Sequence, residues 1–384
     1  MLNGKRIIIV LYSLELGGAE RQALLLGRYL AQVEGAHVQV WAFCNPGRAA
    51  KLCEGYGIPW RIVPLRSPRR NIELFKASVK LGWLLRRAQP DIILPYLTYP
   101  NVLCGLIWRW TGARLCIWNQ RSGGNDRLRL RRPEHWAIRM TPYFISNSQH
   151  GADFLVQTFN VQPDKIRVIY NGIELPRPES DRATWRKRLE VSEDCFLACM
   201  VANLCTVKDH ATLLRAWRIV LDRSAVTSRS TILLLAGRFD NTSEALKALA
   251  YDLELGRSVR FLGQIDDISG LLSAVDLGVF SSRSEGCPNG ILECMASGLA
   301  MVGTDVPGIR EAVGVDGYPF LVPPGDAEAL ADRILKLVVN SELRTKLGRV
   351  NCHRVKTEFN LQRMGLQTVT FIAHGLRVVE QDSC

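Results

Sequence analysis

The sequence predicts an α/β protein made of two doubly wound, Rossmann-like domains, each built on a parallel sheet. Three observations lead there. Short aliphatic and β-branched runs recur along the whole chain, each followed by a polar or glycine-containing loop and a helix-length segment. That alternation belongs to parallel sheets covered on both faces. With 384 residues, 47% apolar and 22% charged, the chain is long enough for two domains of ordinary size. Finally, the run from Asp276 to Val313 reads as one complete strand–loop–helix–strand unit.

In chain order, the first strand is Arg6–Leu11, followed by the loop Leu16-Gly17-Gly18-Ala19 and a helix from about Glu20 to Gln32. Two glycines between strand and helix let backbone approach a ligand, although a plain tight turn reads the same way. Strands follow at His37–Phe43, Trp60–Pro64, Asp91–Leu94 and Ala113–Trp118, with helices near 48–55, Ile72–Arg87 and Val102–Trp110. The loop after Trp118 carries Arg121, which either meets a phosphate or sugar or is a solvated surface residue. Arg127–Arg139 is the densest basic stretch, with Leu128, Leu130, Trp136 and Ile138 interleaved. It suits an anionic lipid interface, or else an ordinary solvated helix starting near Pro133. Strand Tyr143–Asn147, a helix to about Phe159 and the run Lys165–Ile173 close a first domain at 1–173.

Residues 174–192 are polar and punctuated by Pro176 and Pro178, so they read as a linker with a short helix. A second domain is expected over 193–358. Its strands are Phe196–Val201, Thr231–Ala236, Ser258–Gly263 and Asp276–Phe280, with a helix at Ala211–Leu221. The loop Ser284–Asn289 is built on Gly286 and Pro288. A helix runs from Asn289 to Gly298, and the run Leu299–Val302 leads to a turn at Pro307–Gly308. Glu285 lies beyond a strand's carboxyl end, where open α/β sheets bind ligands. Glu293 lies in the helix that follows, whose N-terminus suits a phosphate, and a carboxylate suits a pair of sugar hydroxyls. Taken alone, the two glutamates read more readily as a helix-start charge and a solvated loop charge. Residues 359–384 are expected to form a last helix that crosses back onto the first domain.

The segment Glu285-Gly286-Cys287-Pro288-Asn289-Gly290-Ile291-Leu292-Glu293, with its continuation to Val313, resembles the donor-site motif of retaining glycosyltransferases of the two-Rossmann-domain (GT-B) type. More narrowly, it is similar to the family 4 (group 1) bacterial polysaccharide and lipopolysaccharide glycosyltransferases. The resemblance implies two domains facing each other across a cleft, with Glu293 on the ribose of a sugar nucleotide. It places Glu285 and the backbone of Gly286, Cys287, Pro288, Asn289 and Gly290 on the transferred sugar and phosphates, and Gly263 and its loop near the base. Gly17 and Gly18 match a loop that lies across from the donor phosphates. Lys208 matches one of two cations that grip the diphosphate. Asn203 stands where the family carries the second, an arginine, and an amide can donate a hydrogen bond but carries no charge. Tyr96 and Arg121 stand near places where the family often has a histidine, so no acid–base histidine is assigned.

The net charge of +12 is one-sided. Residues 1–175 hold 24 Lys+Arg against 11 Asp+Glu, and the remainder holds 25 against 26. A basic first domain implies an anionic partner. Its aromatics are too few for a single-strand nucleic-acid platform, so nucleic acid is not expected. No D-x-D triplet occurs, so neither a metal nor another cofactor is expected. Eleven scattered cysteines without a CxxC pair suggest free thiols in a reducing cytoplasm. No secretory signal is visible. Together these readings lead to a transferase that moves a hexose from a nucleotide-sugar donor, UDP favoured and GDP possible, to a lipid-linked or membrane-proximal glycan. It would be peripheral on the inner face of the cytoplasmic membrane. A catalytically inactive sugar-nucleotide-binding module, or an epimerase or phosphorylase of the same fold, is the alternative.

Overall fold

The computed structural model of the chain describes residues 1–124, 130–174, 177–224 and 230–381. It forms two compact units: residues 1–172 with the chain from Asn360 onward, and Ile173–Phe359.

The first unit alternates β1 (Arg6–Leu14), α1 (Gly18–Gln32), β2 (His37–Pro46), α2 (Arg48–Gly55), β3 (Trp60–Ile62), α3 (Asn71–Ala88), β4 (Ile92–Pro95), α4 (Thr98–Thr111) and β5 (Leu115–Gln120). It continues with α5 (Arg131–Met140), β6 (Tyr143–Ser146), α6 (Gln149–Phe159) and β7 (Ile166–Val168). The strands form one parallel sheet in the order β3-β2-β1-β4-β5-β6-β7. The apolar run of β1 has the physical cause expected of a doubly covered sheet. Ile7, Ile9 and Leu11 enter one core and Ile8 and Val10 the other, so alternation disappears.

The second unit holds α7 (Arg182–Arg188), β8 (Phe196–Val201), α8 (His210–Ser224), β9 (Thr231–Ala236), α9 (Ser243–Asp252), β10 (Val259–Gly263), α10 (Ile268–Ala274) and β11 (Leu277–Phe280). Then come α11 (Asn289–Ala296), β12 (Met301–Thr304), α12 (Pro307–Val313), β13 (Leu321–Val322), α13 (Ala327–Val339) and α14 (Ser341–Glu358). Its parallel sheet runs β10-β9-β8-β11-β12-β13. Both sheets therefore reverse strand order beside their first strand, which opens a crevice at the carboxyl edge there. A final helix, α15 (Leu361–Gln381), belongs to the first unit, where Met364, Val369, Ile372 and Leu376 join the core beneath α1 and β5.

Three local expectations change. Pro307–Gly308 is not a turn between elements but the start of α12; proline's missing N–H costs nothing in a first helical turn. Gly308 packs so tightly on the backbone of Glu285 and Gly286 that a Cβ has no room. The polar stretch read as a linker holds its expected short helix, α7, and is tied into the second unit from Glu179 onward. Asp267 accepts Trp185 Nε1 at 2.8 Å and the backbone N–H groups of Glu179 and Ser180, both at 3.1 Å. Buried Arg186 donates to Cys195 O at 2.8 Å and pairs with Asp276 at 3.2 Å. Pro176 lies outside the described residues. Among the described apolar residues of the basic stretch 127–139, Leu130 and Ile138 pack against cores and Trp136 is exposed, while Arg127, Leu128 and Arg129 lie outside the described residues. An amphipathic helix turns its apolar residues to the core it already has.

Candidate active site

The strands flanking the switch point of the second sheet are β8 and β11. Their loops leave the carboxyl edge together and are stitched to each other. Asp209 N donates to Ser281 O at 2.9 Å and Arg283 N to Val207 O at 3.1 Å, with an antiparallel bridge between Lys208 and Ser282. The register brings Lys208 Nζ into an ion pair with Glu285, the two side chains being 19% and 9% exposed. Ser282 Oγ also donates to Glu285 at 2.6 Å, and Ser282 N to Thr304 Oγ1 at 2.9 Å. Lys208 Nζ stands 4.9 Å from the Phe280 ring centroid, so the cation is held from a second side.

Beyond Glu285 the chain passes through Gly286, Cys287 and Pro288 into α11, which starts at Asn289 with no side-chain cap. Its first-turn N–H groups carry the positive end of the helix. Gly290 lies against Val201 O with no room for a Cβ, which holds this helix start against the end of β8. Glu293 lies on α11, almost fully buried. Burial, with a smaller push from the Glu293 charge, raises the Cys199 thiol to about 12. Glu293 is thus part of the interior, and Glu285, 9% exposed, is not the solvated loop charge that an isolated glutamate allows.

On the other side of β8, Asn203 Oδ1 accepts the Arg238 N–H at 3.1 Å, and Gly237 N donates to Gly263 O at 2.8 Å. Gly237 meets Ala202 O too closely for a side chain, and Gly263 has φ +68. The carboxyl ends of β8, β9 and β10 are laced together by these contacts. Asn203, uncharged itself, sets the position of Arg238, whose guanidinium reaches Asp240 at 3.4 Å. Arg238 was not singled out from the sequence; its signal is a Gly-Arg pair directly after an apolar strand. His210, the first residue of α8, is buried beside Lys208, and burial lowers its pKa to about 4.

Gly17, Gly18 and Arg121 belong to the first unit, at the carboxyl edge of its own sheet. Gly17 is the N-cap of α1 and Gly18 its first residue, so the helix begins two positions before Glu20. Arg121 is not a solvated surface residue: Nη2 donates to Asn171 Oδ1 at 2.6 Å and the guanidinium lies 5.2 Å from the centroid of buried Tyr96. Next to Tyr96, Leu97 has φ +70 and ψ 163. That backbone region is essentially reserved for glycine, and strain of this kind gathers at functional sites.

Two family models match the chain: Glycosyltransferase Family 4 over residues 16–177 and Glycosyl transferases group 1 over residues 196–340. The chain belongs to the group 1, family 4 glycosyltransferases. The chain is 28% identical over 225 residues to D-inositol 3-phosphate glycosyltransferase of Saccharomonospora viridis, covering 56% of this chain and 52% of that one. It spans about half the length of that relative. It is 21% identical over 306 residues to UDP-Gal:alpha-D-GlcNAc-diphosphoundecaprenol alpha-1,3-galactosyltransferase of Escherichia coli, covering 76% and 78%. Its fold matches the crystal structure of Anabaena Alr3699/HepE in complex with UDP and glucose with a TM-score of 0.83 at 21% identity, over 96% of this chain and 99% of that one. The architecture is GT-B, with two Rossmann-like domains.

Proposed function

We propose that this glycosyltransferase moves a hexose from a UDP-sugar, with retention of anomeric configuration, to a lipid-linked or membrane-proximal glycan in cell-surface polysaccharide synthesis. The observation that carries the reading is the Lys208–Glu285 pair at the switch point of the second sheet, with α11 starting beside it and Glu293 on that helix. A diphosphate leaving from this edge meets Lys208 and the positive end of α11. Arg238 supplies the further cation that Asn203 lacks. Positive charge held ready where negative charge develops stabilises a transition state without reorganisation. Metal-independent turnover, unaffected by a chelator, follows from charge supplied in this way.

Glu293 would hold the ribose hydroxyls and Glu285 the transferred sugar. Glu285 is engaged by both Lys208 and the Ser282 hydroxyl. A carboxylate so neutralised is a poor nucleophile. This favours attack and departure on one face of the sugar, with the leaving phosphate taking the acceptor proton, over a covalent intermediate. The E. coli relative, named for a diphosphoundecaprenol acceptor, supports a lipid-linked substrate. An anionic membrane surface suits the +13 imbalance of residues 1–175. No helix among the described residues is long and apolar enough to cross a membrane. The acceptor would approach through the first unit, where Gly17, Gly18, Leu97 and Arg121 gather at the carboxyl edge.

The decisive test is binding of a panel of nucleotide sugars and free nucleotides, read by thermal shift or calorimetry, with Glu293→Ala and Lys208→Ala in parallel. One nucleotide series should stabilise the protein, and both substitutions should abolish the shift while leaving the fold intact. Equal binding by the variants would refute the donor site. Binding without transfer to any lipid-linked acceptor would favour a sensing module instead.

A further inference from the structure

Helix α3 has two apolar faces, and the core uses one of them. Leu74, Ala77, Leu81 and Leu85 turn inward and are buried. On the opposite side Ile72, Phe75, Val79 and Trp83, spaced by three, four and four residues, are between 42% and 65% exposed. That spacing makes them one stripe along the helix. Exposed Trp110 of α4 extends the stripe: its ring lies over Gly82 so closely that a Cβ there has no room.

The flanks of the stripe are cationic. Lys76, Lys80 and Arg87 follow its edge, and the Arg87 guanidinium sits 5.0 Å from the Trp83 ring centroid. Arg86 donates to Trp110 O at 2.8 Å. The helix carries one carboxylate, Glu73, and it is turned to the helix start, where it accepts Arg69 N at 2.7 Å and Arg70 N at 3.3 Å. Beside it opens a pocket of about 690 Å3, whose lining includes Arg66, Arg69, Glu73, Lys76 and Lys80.

We propose that the outer face of α3 is a membrane-docking surface for an anionic phospholipid bilayer, with the basic pocket at its start receiving lipid phosphate groups. An apolar stripe with Trp and Phe, bordered by Lys and Arg, is the composition of a helix that lies in the headgroup plane. The cations match a uniformly anionic surface. A second copy of the chain docked face to face would set the same cations against each other across a twofold axis. The inference rests on the membrane-proximal part of the function proposed above and locates it on α3 instead of on Arg127–Arg139.

The test is co-sedimentation of the full chain with vesicles of phosphatidylcholine, alone or mixed with phosphatidylglycerol. Wild type should sediment with the anionic vesicles only, and brominated acyl chains should quench its tryptophan fluorescence. The double variant Phe75→Ser, Trp83→Ser should partition at least about tenfold more weakly, and Lys76→Ser with Lys80→Ser should abolish the preference for anionic lipid. Stabilisation by UDP, measured on the same samples, should be unchanged. Variants that sediment like wild type while Arg131→Ser with Arg132→Ser detaches the protein would overturn the assignment to α3. So would a wild type that ignores anionic vesicles while still binding UDP, or a double variant whose only change is dissociation of a dimer. Loss of UDP binding with vesicle capture intact would strike the donor site and leave this surface standing.

Discussion

Lys208 and Glu285, 77 residues apart in sequence, close an ion pair across the switch point of the second sheet. The pair is largely removed from water, so breaking it leaves an uncompensated charge. The two halves should fail differently. Glu285→Ala frees Lys208 for a diphosphate, so UDP affinity should hold or improve while turnover falls by roughly two decades or more. Lys208→Ala leaves the carboxylate facing the diphosphate, and UDP affinity and turnover should fall together. Calorimetry beside initial rates separates these outcomes; parallel losses in both variants would mean the pair is only structural.

Arg238 should act on the diphosphate and not on the nucleoside. Arg238→Gln is expected to raise the dissociation constant of UDP about tenfold, the size of one charge-assisted hydrogen bond, and to leave uridine binding unchanged. Asn203→Ala should give a smaller loss of the same kind, because it releases the Arg238 N–H that Oδ1 holds at 3.1 Å. Equal losses for uridine and UDP would contradict this role.

His210 predicts an acid-side loss of stability. Burial lowers its folded-state pKa to about 4, below the roughly 6.5 of an unfolded histidine. The unfolded chain therefore takes up the proton first. The stabilisation is complete above about 6.5, declines as pH falls, and is gone below the folded value, a span of about 3 kcal/mol for this group. Denaturant titrations between these limits should show the slope, and His210→Leu should flatten it.

Leu97 holds a backbone conformation that costs on the order of 1–3 kcal/mol for a residue with a side chain. Leu97→Gly should relieve part of that and raise the melting temperature. If the geometry serves the acceptor, the same substitution should lower kcat/KM for acceptor with donor binding unchanged. A stabilised variant with full activity would show the strain to be incidental.

Much of this was legible because the residues concerned are local. Strands Phe196–Val201 and Thr231–Ala236 were read to the residue, since a strand buried on both faces is an unbroken apolar run bounded by polar loops. The segment from Glu285 to Glu293 was legible for a related reason: one loop and one helix start hold it in a fixed local geometry. Pro307 was misread because Pro-Gly signals a turn and a helix start equally well, and only the packing of Gly308 on Glu285 and Gly286 decides between them.

The sequence by itself determined two parallel α/β domains, the family, the loops that carry Lys208 and Glu285, and the helix that carries Glu293. Periodicity and loop chemistry are properties of neighbouring residues. Tertiary structure alone decided that Lys208 pairs with Glu285, that Asn203 positions Arg238, and that Arg121 is held by Asn171 over Tyr96. It also decided which apolar residues of the basic first unit face outward. Leu130 and Ile138 find a core, whereas Phe75 and Trp83 do not. Those outcomes depend on which strand lies beside which and on which helix face the sheet covers, and such contacts between distant segments leave no local trace in the chain.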